Sequence, residues 1–478
     1  MKKHKIIIVF LFLFSTGIIT SILPGPTNAE QKLHKRAPDT LPGTLPEMRD
    51  PSYWIARMEK PDELILTIEE IKRINEEYQK KIRLPSPFIN DPEDWKPAVR
   101  YYWPGHFVHV PDIHNVTAEA CEDTVRNRIN DEIMYMRNRK YSNFLGIEYN
   151  DKEIDNFENE MAIDLVKDKI TMQYGITVRY TRLRNVPSFF PEQVGLTEGG
   201  EIRWDQWNMY ALKLYMPVTV LHVSRSGEYL FVLCEMGYGW VRSEDIAFGE
   251  KKKIDTFADP EDFVVCTGNR VQFYSDKDCI YASGWFKMGD RIPLASKSNH
   301  LKIIVPVRKT NGKFTVETAW LAEDADISIG YLPYTRRNIV ITTLKLLDTP
   351  YDWSGACFGS QHHGIHRSIF ACFGFDLPLD NALFPAFGNN RDVIFPEGDK
   401  EKQYRAILKH EPFVTIMSCG VQCQLLLGEY NGVPITFDAH GYGYMENGIY
   451  YEVKRCSIGD MRLPEYFLKN KITFLELK

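Results

Sequence analysis

The chain has 478 residues, a formal net charge of -6 and a pI near 6.1, and 44% of its residues are hydrophobic. At about 150 residues per domain, this length predicts roughly three domains, each large enough to bury a core. The mild negative charge argues against a nucleic-acid-binding protein, which usually carries a strong basic excess, so no nucleic-acid partner is expected.

The first 29 residues have the pattern of a secretory signal peptide. A basic start, MKKHK, precedes the apolar run IIIVFLFLFSTGIITSIL, and the small residues TNA end at Ala29. This order predicts cleavage after Ala29 and export to the periplasm or the extracellular cell envelope. An uncleaved anchor is the alternative, because the apolar run is near the lower length limit of a membrane span.

The cysteines all lie in the predicted mature region. The nine of them run from Cys121 to Cys456, and in an exported protein an odd number leaves at least one thiol unpaired or paired between chains. Cys419 and Cys423 are four residues apart, but no second close pair accompanies them, which argues against a zinc knuckle.

Residues 30–165 are predicted to form a helical and loop-rich N-terminal stabilising domain without a catalytic constellation. A Pro-rich linker comes first, and Thr67 with Glu70 then forms a capping box before an apolar-periodic helix. Further helical stretches are expected near 121–141 and 152–168.

Short alternating runs of β-forming residues begin near Ile170 and predict two consecutive small barrels, at 166–250 and 251–328. The Asn311-Gly312 pair is a strong hairpin signal in the second of them. Trp240 is expected in the core of the first.

The C-terminal region, residues 329–478, contains a helix, a loop, a second helix and then antiparallel strands, which is an α+β order. Ile365, Ile369 and Phe373 recur at helical spacing and predict one buried stripe, and Gly374 ends the helix. The helix should therefore start near His362, with unpaired N–H groups and a positive dipole end there. A cysteine nucleophile is commonly presented in this way, but this chain has histidine.

Several motifs occur in a specific order along the mature chain. They are DPSYWI, YGITVRYTRLRNVP, GYGWVRSEDIA, WFKMGDRIPL, Tyr351-x-Trp353-x-Gly355 and FGFDLP. With them the chain resembles the NlpC-type (papain-like) cell-wall cysteine peptidases that carry two bacterial SH3-like domains. The resemblance implies a multidomain α+β fold, with two SH3-like β-barrels before a papain-like domain. It also implies peptidoglycan or its stem peptides as the partner, since such enzymes cleave γ-D-glutamyl to diamino-acid bonds there.

The resemblance implies three catalytic positions, and all three are substituted. Counting back from FGFDLP puts His362 where the family has its nucleophilic cysteine. The segment VQCQLLLG, set on the family's G-H-x-x-L-Y-x-G strand, puts Gln422 at the general-base histidine, and Asp438, just after Thr436-Phe437, stands at the third polar position. Glutamine cannot take a proton, so the relay of a cysteine peptidase is broken. Tyr351 and Trp353 are expected to line the cleft. These substitutions favour a catalytically degenerate member, a pseudoenzyme.

Other residues offer ways to retain activity. Cys357 could supply a nucleophile from the loop, and His440, which would share a strand face with Asp438, could act as base. His362 and His366, one helical turn apart, could bind Zn²⁺ with Asp438, His440 or Cys423, although accidental surface histidines are the commoner explanation of such spacing.

Three hypotheses remain open on the sequence. The favoured one is an exported protein that binds or regulates peptidoglycan stem peptides, with no cofactor. The second is an active peptidoglycan hydrolase that uses an unrecognised residue set. The third is an assembly protein that binds another cell-envelope protein through the SH3-like barrels.

Overall fold

The structure is a computed structural model, and it describes residues 34–83, 118–167, 170, 173–197, 205–296, 301–352, 362–377, 387, 393–394, 399–419, 422–441, 443–463, 468 and 471–478. The predicted signal peptide lies outside these residues. Within the described ranges, no helix combines the length and the apolar character that a membrane crossing requires.

The N-terminal region is built mainly of helices, as predicted. Its elements are β1 (His34–Arg36), α1 (Pro51–Ile55), β2 (Leu64–Leu66), α2 (Ile68–Arg83), α3 (Ala118–Arg137), β3 (Tyr141–Ser142) and α4 (Asp151–Met161). The predicted capping box is confirmed, because the Glu70 carboxylate accepts from the Thr67 amide at 2.8 Å while Thr67 Oγ1 accepts from the Glu70 amide at 3.2 Å.

The first seven-stranded sheet has the order β11-β4-β8-β9-β10-β5-β7. Its strands are β4 (Gln173–Thr177), β5 (Thr181–Arg184), β7 (Asn208–Leu212), β8 (Pro217–Val223), β9 (Tyr229–Cys234), β10 (Gly237–Arg242) and β11 (Ile246–Phe248), and β6 (Leu196–Thr197) pairs with β3. Trp240 is 1% exposed and packs on Phe231, so its predicted core position is confirmed.

The second seven-stranded sheet has the order β14-β13-β17-β16-β15-β12-β18 and follows the short helix α5 (Lys251–Ala258). Its strands are β12 (Phe263–Cys266), β13 (Arg270–Tyr274), β14 (Ala282–Lys287), β15 (Arg291–Ser296), β16 (Lys302–Arg308), β17 (Phe314–Trp320) and β18 (Ile327–Ile329). The predicted hairpin is confirmed, because Asn311-Gly312 lies between β16 and β17 and Gly312 adopts a φ of +80°.

The C-terminal region packs helices against a six-stranded sheet of order β20-β27-β21-β22-β23-β26. Its helices are α6 (Arg336–Leu344), α7 (His362–Ala371) and α8 (Lys400–Ile407). Its strands are β19 (Tyr334–Thr335), β20 (Val393–Ile394), β21 (Thr415–Ser418), β22 (Cys423–Tyr430), β23 (Val433–His440), β24 (Gly443–Glu446), β25 (Ile449–Glu452), β26 (Arg455–Asp460) and β27 (Ile472–Glu476). The predicted α+β multidomain class is confirmed, while the boundary positions stay predictions.

The predicted stripe of α7 forms the centre of the C-terminal core. Ile365, Ile369 and Phe373 are all buried, in one cluster with Leu425 of β22 and Phe437 of β23. The helix starts at His362 and is followed by a turn through Gly374, whose φ is +97°, so both predicted ends are confirmed.

The N-terminal strap, defined as residues 34–50, crosses the chain to reach this C-terminal domain. Its β1 pairs in parallel with β25, and the Ala37 amide donates to Glu452 at 2.8 Å. Arg455 is buried beneath the strap and donates to the carbonyls of Ala37 at 3.3 Å and Pro38 at 2.5 Å. The guanidinium therefore satisfies strap carbonyls that would otherwise be buried without a donor.

Asp348 ties the strap to the loop that leads to the candidate site. Its carboxylate pairs with Arg49 of the strap and, at 3.3 Å, with Arg455. Asp348 adopts a φ of +63°, a region that favours glycine, and the resemblance also implies glycine at this position. The two arginines offset the conformational cost that the aspartate carries here.

We predict that Arg455→Met loosens the strap without unfolding the domain, because it removes both carbonyl contacts and the ion pair together. Hydrogen exchange read by mass spectrometry should show the Ala37 amide exchanging at least about tenfold faster, as expected when local opening becomes easier by about 1.4 kcal/mol. Arg405→Met, which removes an exposed arginine from α8, is the control and should leave that amide unchanged. Unaltered protection in Arg455→Met would show that the strand pairing alone holds the strap.

Candidate functional site

The described residues of the site lie at one end of the C-terminal sheet, where β21 and β23 end and β22 starts. Helix α7 packs against the same sheet. Helix α7 begins at His362. The position that the resemblance gives to the nucleophile therefore lies at a helix N-terminus. The side chain of His362 lies outside the described residues, as do Trp353 and Cys357. Their predicted roles stay predictions.

Gln422 lies at the tip of the β21–β22 hairpin. The Cys419 amide donates to the Gln422 carbonyl at 3.0 Å, which closes the connection between the two strands. The Gln422 Oε1 atom is buried and accepts no hydrogen bond from the described part of the chain. At the position that the resemblance gives to the general base, the chain therefore has a side-chain amide whose carbonyl oxygen accepts no hydrogen bond from the described residues.

Asp438 and His440 lie on the same face of β23, as the alternation along a strand predicts. His440 Nδ1 is 3.8 Å from Asp438 Oδ2, and the other carboxylate oxygen accepts from the Ala439 amide at 2.7 Å. Asp438 is 0% exposed and His440 is 2% exposed. His440 is the last residue of β23, and its possible role as a base stays a prediction.

The strap lies close to His440. A Cβ atom placed on Gly459 would be in ordinary van der Waals contact with both His440 Nε2, at 3.6 Å, and Leu41 Cδ1 of the strap, at 3.7 Å. Leu41 is itself 2% exposed. The N-terminal strap therefore helps to exclude water from this side of the site.

Tyr351 packs beside the same carboxylate. Its ring lies against Gly441, where an added Cβ would approach Cζ to 2.8 Å, and its amide donates to Lys454 at 2.9 Å. Burial, followed by the negative charges of Asp438 and Asp352, raises the pKa of the phenol. Tyr351 therefore stays a neutral hydroxyl close to Asp438, and its predicted place in the cleft stays a prediction.

Cys419 is a residue that the sequence analysis did not assign to the site. It is 4% exposed, and burial raises the pKa of its thiol to about 12, with the Asp438 charge acting in the same direction. At neutral pH this sulfur is a protonated thiol, which is a poor nucleophile. The turn between two apolar strands could have indicated its proximity to Asp438, but sequence alone could not give its burial.

The zinc hypothesis is only partly covered by the described residues. His366 is 0% exposed within α7, so the interpretation of it as an accidental surface histidine is wrong. No group of three or more metal-ligating side chains occurs among those that the structure describes, a set that does not include His362. The proposed ligand set of His362, His366 and Asp438 stays a prediction.

Gln424 is the second residue that the sequence analysis missed. It lies in β22, two residues after Gln422, and is 0% exposed. Neither its Nε2 nor its Oε1 has a hydrogen-bond partner within the described ranges. A buried amide without partners is costly, by about 1–3 kcal/mol, and is a common mark of functional sites.

We predict that Gln424→Met raises the free energy of unfolding by about 1 kcal/mol, because an unpaired buried amide is replaced by an apolar side chain of similar length. Urea denaturation of the two proteins measures this difference. Gln173→Met, at an exposed position of β4, is the control and should change stability by less than about 0.5 kcal/mol. A loss of stability in Gln424→Met would mean that the amide has a partner in solution.

Comparison with known proteins supports the fold at two levels. Residues 195–242 match the family model of an SH3 domain (SH3b1 type). No curated protein matches the chain by sequence. The structure is similar to an NlpC/P60 endopeptidase from Photobacterium damselae subsp. piscicida, with a TM-score of 0.68 and 17% identity over 93% of this chain and 98% of that one.

Two weaker similarities point to the same group of proteins without adding to the argument. An NlpC/P60 family protein from Bacillus cereus matches with a TM-score of 0.42 and 15% identity, over 64% of this chain and 99% of that one. NlpC2 from Trichomonas vaginalis matches with a TM-score of 0.23 and 12% identity, over 64% of this chain and 97% of that one. The chain therefore has the multidomain fold of an NlpC/P60 endopeptidase, with an SH3 domain of the SH3b1 type.

Proposed function

We propose that this protein is an exported cell-envelope protein that binds peptidoglycan stem peptides on an NlpC-type scaffold and does not cleave them. The observation that carries the proposal is Gln422, a glutamine at the general-base position whose buried Oε1 is unpaired in the described part of the chain. The similar Photobacterium protein is called an endopeptidase, and the fold is shared at 17% identity, so the chemistry has to be argued from this chain's own residues.

The amide of Gln422 is suited to binding and unsuited to general-base catalysis. It has two N–H donors and a carbonyl acceptor, but it does not titrate near neutral pH. A peptide ligand that donates an N–H to the free Oε1 would recover the desolvation cost of that atom. The substitution thus removes proton transfer while it keeps a group that recognises peptide bonds.

The described neighbours Cys419, Asp438 and His440 are poorly suited to replace the lost relay. The Cys419 thiol is protonated at neutral pH because burial raises its pKa to about 12. The 3.8 Å between His440 Nδ1 and Asp438 Oδ2 is longer than a hydrogen bond. Both side chains are almost fully buried, and a general base has to reach a proton of the substrate.

Export is supported by the sequence pattern of residues 1–29. A protein secreted to the cell envelope would meet stem peptides as its most abundant peptide ligand. A partner protein bound through the SH3-like barrels is the competing explanation for a scaffold of this kind. The two differ in whether peptidoglycan freed of all protein is sufficient for binding.

We predict that the mature protein cosediments with purified, protein-free sacculi, because the cleft recognises the stem peptide itself. Tyr351→Ala should reduce retention by about tenfold, since the ring packs beside Asp438 and Gly441 at the centre of the site. Tyr281→Ala is the matched control, because Tyr281 is 69% exposed in the second barrel region, and it should bind as the wild type does. Retention no greater than that of an unrelated exported protein would sink the proposal.

We also predict that purified muropeptides remain intact on incubation with the protein, with or without added zinc. Mass spectrometry of the products decides this point. His362→Ala should give the same product pattern as the wild type, because no step depends on this imidazole. Cleavage by the wild type that His362→Ala abolishes would instead establish an active hydrolase.

A further inference from the structure

A cavity of about 870 Å³ lies between the N-terminal helical region and the first barrel. One wall is α4, and the other walls are the loop after β5, the β8–β9 turn and the segment that follows β10. Of the lining residues that the structure describes, none belongs to the C-terminal domain.

The cavity is separate from the candidate functional site. The turn between β9 and β10, at Glu235 and Met236, contacts Arg367 of α7 and so faces the C-terminal domain. The cavity is lined by Tyr229 and Arg242, at the opposite ends of the same two strands. Because a six-residue strand is about 20 Å long, the cavity is about one strand length from that contact.

The charges that line the cavity are strongly unbalanced. Among the described lining residues, one arginine, Arg242, faces the carboxylates of Glu153, Glu160, Glu192, Glu228 and Glu244. Arg242 is already engaged, since it pairs with Glu244 at 2.6 Å and lies 4.2 Å over the Phe189 ring. The other four carboxylates leave the cavity with a net negative potential.

The carboxylates reach the cavity from different directions. Glu160 comes from α4 and accepts from the Ser226 amide at 3.2 Å, which joins the two walls. Glu192 lies on the opposite loop and Glu228 on the β8–β9 turn, and both are exposed. An ammonium group has three N–H donors that point in different directions, so it fits this arrangement better than a planar guanidinium, which pairs best with a single carboxylate.

Aromatic rings supply the apolar part of the lining. The Tyr149 ring packs edge-on against Phe157, with 5.5 Å between ring centroids, and stacks on Trp207 at 5.3 Å. These two contacts fix the position of the Tyr149 ring. Phe189 and Tyr229 complete the aromatic surface. Such faces pack against aliphatic chains and attract a cation by the ring quadrupole.

We propose that this cavity binds a peptide segment that carries a primary ammonium group on an aliphatic side chain, such as a lysyl or diamino-acid residue. The ammonium group meets the carboxylates, and the aliphatic stem packs against Tyr149 and Phe189. This site is independent of the cleft around Gln422 and does not require that the cleft bind stem peptides.

The test uses isothermal titration calorimetry of the full mature chain with the capped peptide acetyl-Ala-Lys-Ala-amide. We expect saturable binding that weakens as ionic strength rises. The same peptide with an Nε-acetylated lysine should bind at least about tenfold more weakly, because acetylation removes the charge. Equal affinity for the two peptides, or no saturable binding of the lysine peptide, would overturn the proposal.

Variants locate the site. The double variant Glu192→Gln and Glu228→Gln should weaken binding of the lysine peptide by about fivefold to tenfold. Both side chains are exposed, and neither forms an ion pair with another described residue. The double variant Glu261→Gln and Glu323→Gln removes the same charge from exposed positions around the second barrel and should bind as the wild type does. An equal effect of the two double variants would overturn the proposal. Tyr351→Ala should leave this binding intact, so failure here is distinguishable from failure in the cleft.

Discussion

The packing of one face of α7 against one face of the C-terminal sheet decides where every residue of the candidate site lies. Ile365 and Ile369 are fully buried against Leu425 and Phe437, and each such side chain contributes about 1.5–3 kcal/mol. This contact packs α7 on the face of the sheet that carries Phe437. Alternation along β23 places Asp438 on the opposite face from Phe437. The core therefore keeps the fold irrespective of which polar residues stand at the candidate site.

Patterns that depend on local spacing could be predicted from the sequence. The stripe of α7, the capping box at Thr67 and the hairpin at Asn311-Gly312 all follow from contacts within a few residues. The environment of His440 could not be predicted in this way. The histidine is buried at the end of β23, where Gly459 of β26 and Leu41 of the strap lie close to it. Those contacts join parts of the chain that are far apart in sequence.

The same limit applies to the polar residues of the site. Motif spacing gave His362, Gln422 and Asp438 as the positions that correspond to the family's catalytic residues, and this correspondence stays a prediction. The burial of Cys419 and Gln424 depends on how β21 and β22 are covered in three dimensions, and this has no signature in a single sequence. Asp348 has a positive φ, which glycine usually adopts, and its carboxylate pairs with Arg49 of the strap and Arg455 of β26. The strap therefore helps to hold the loop that leads to the candidate site.

The central claim is that the cleft holds no activated nucleophile, and alkylation by iodoacetamide followed by peptide mass spectrometry tests it most directly. Only a thiolate reacts rapidly, and an unperturbed cysteine has a pKa of about 8.5. At pH 6 we predict that Cys357 reacts no faster than a free model thiol and that Cys419 remains unlabelled in the folded protein. Labelling of either residue at pH 6 about a hundredfold faster than the model thiol would reveal an activated cysteine and contradict the claim.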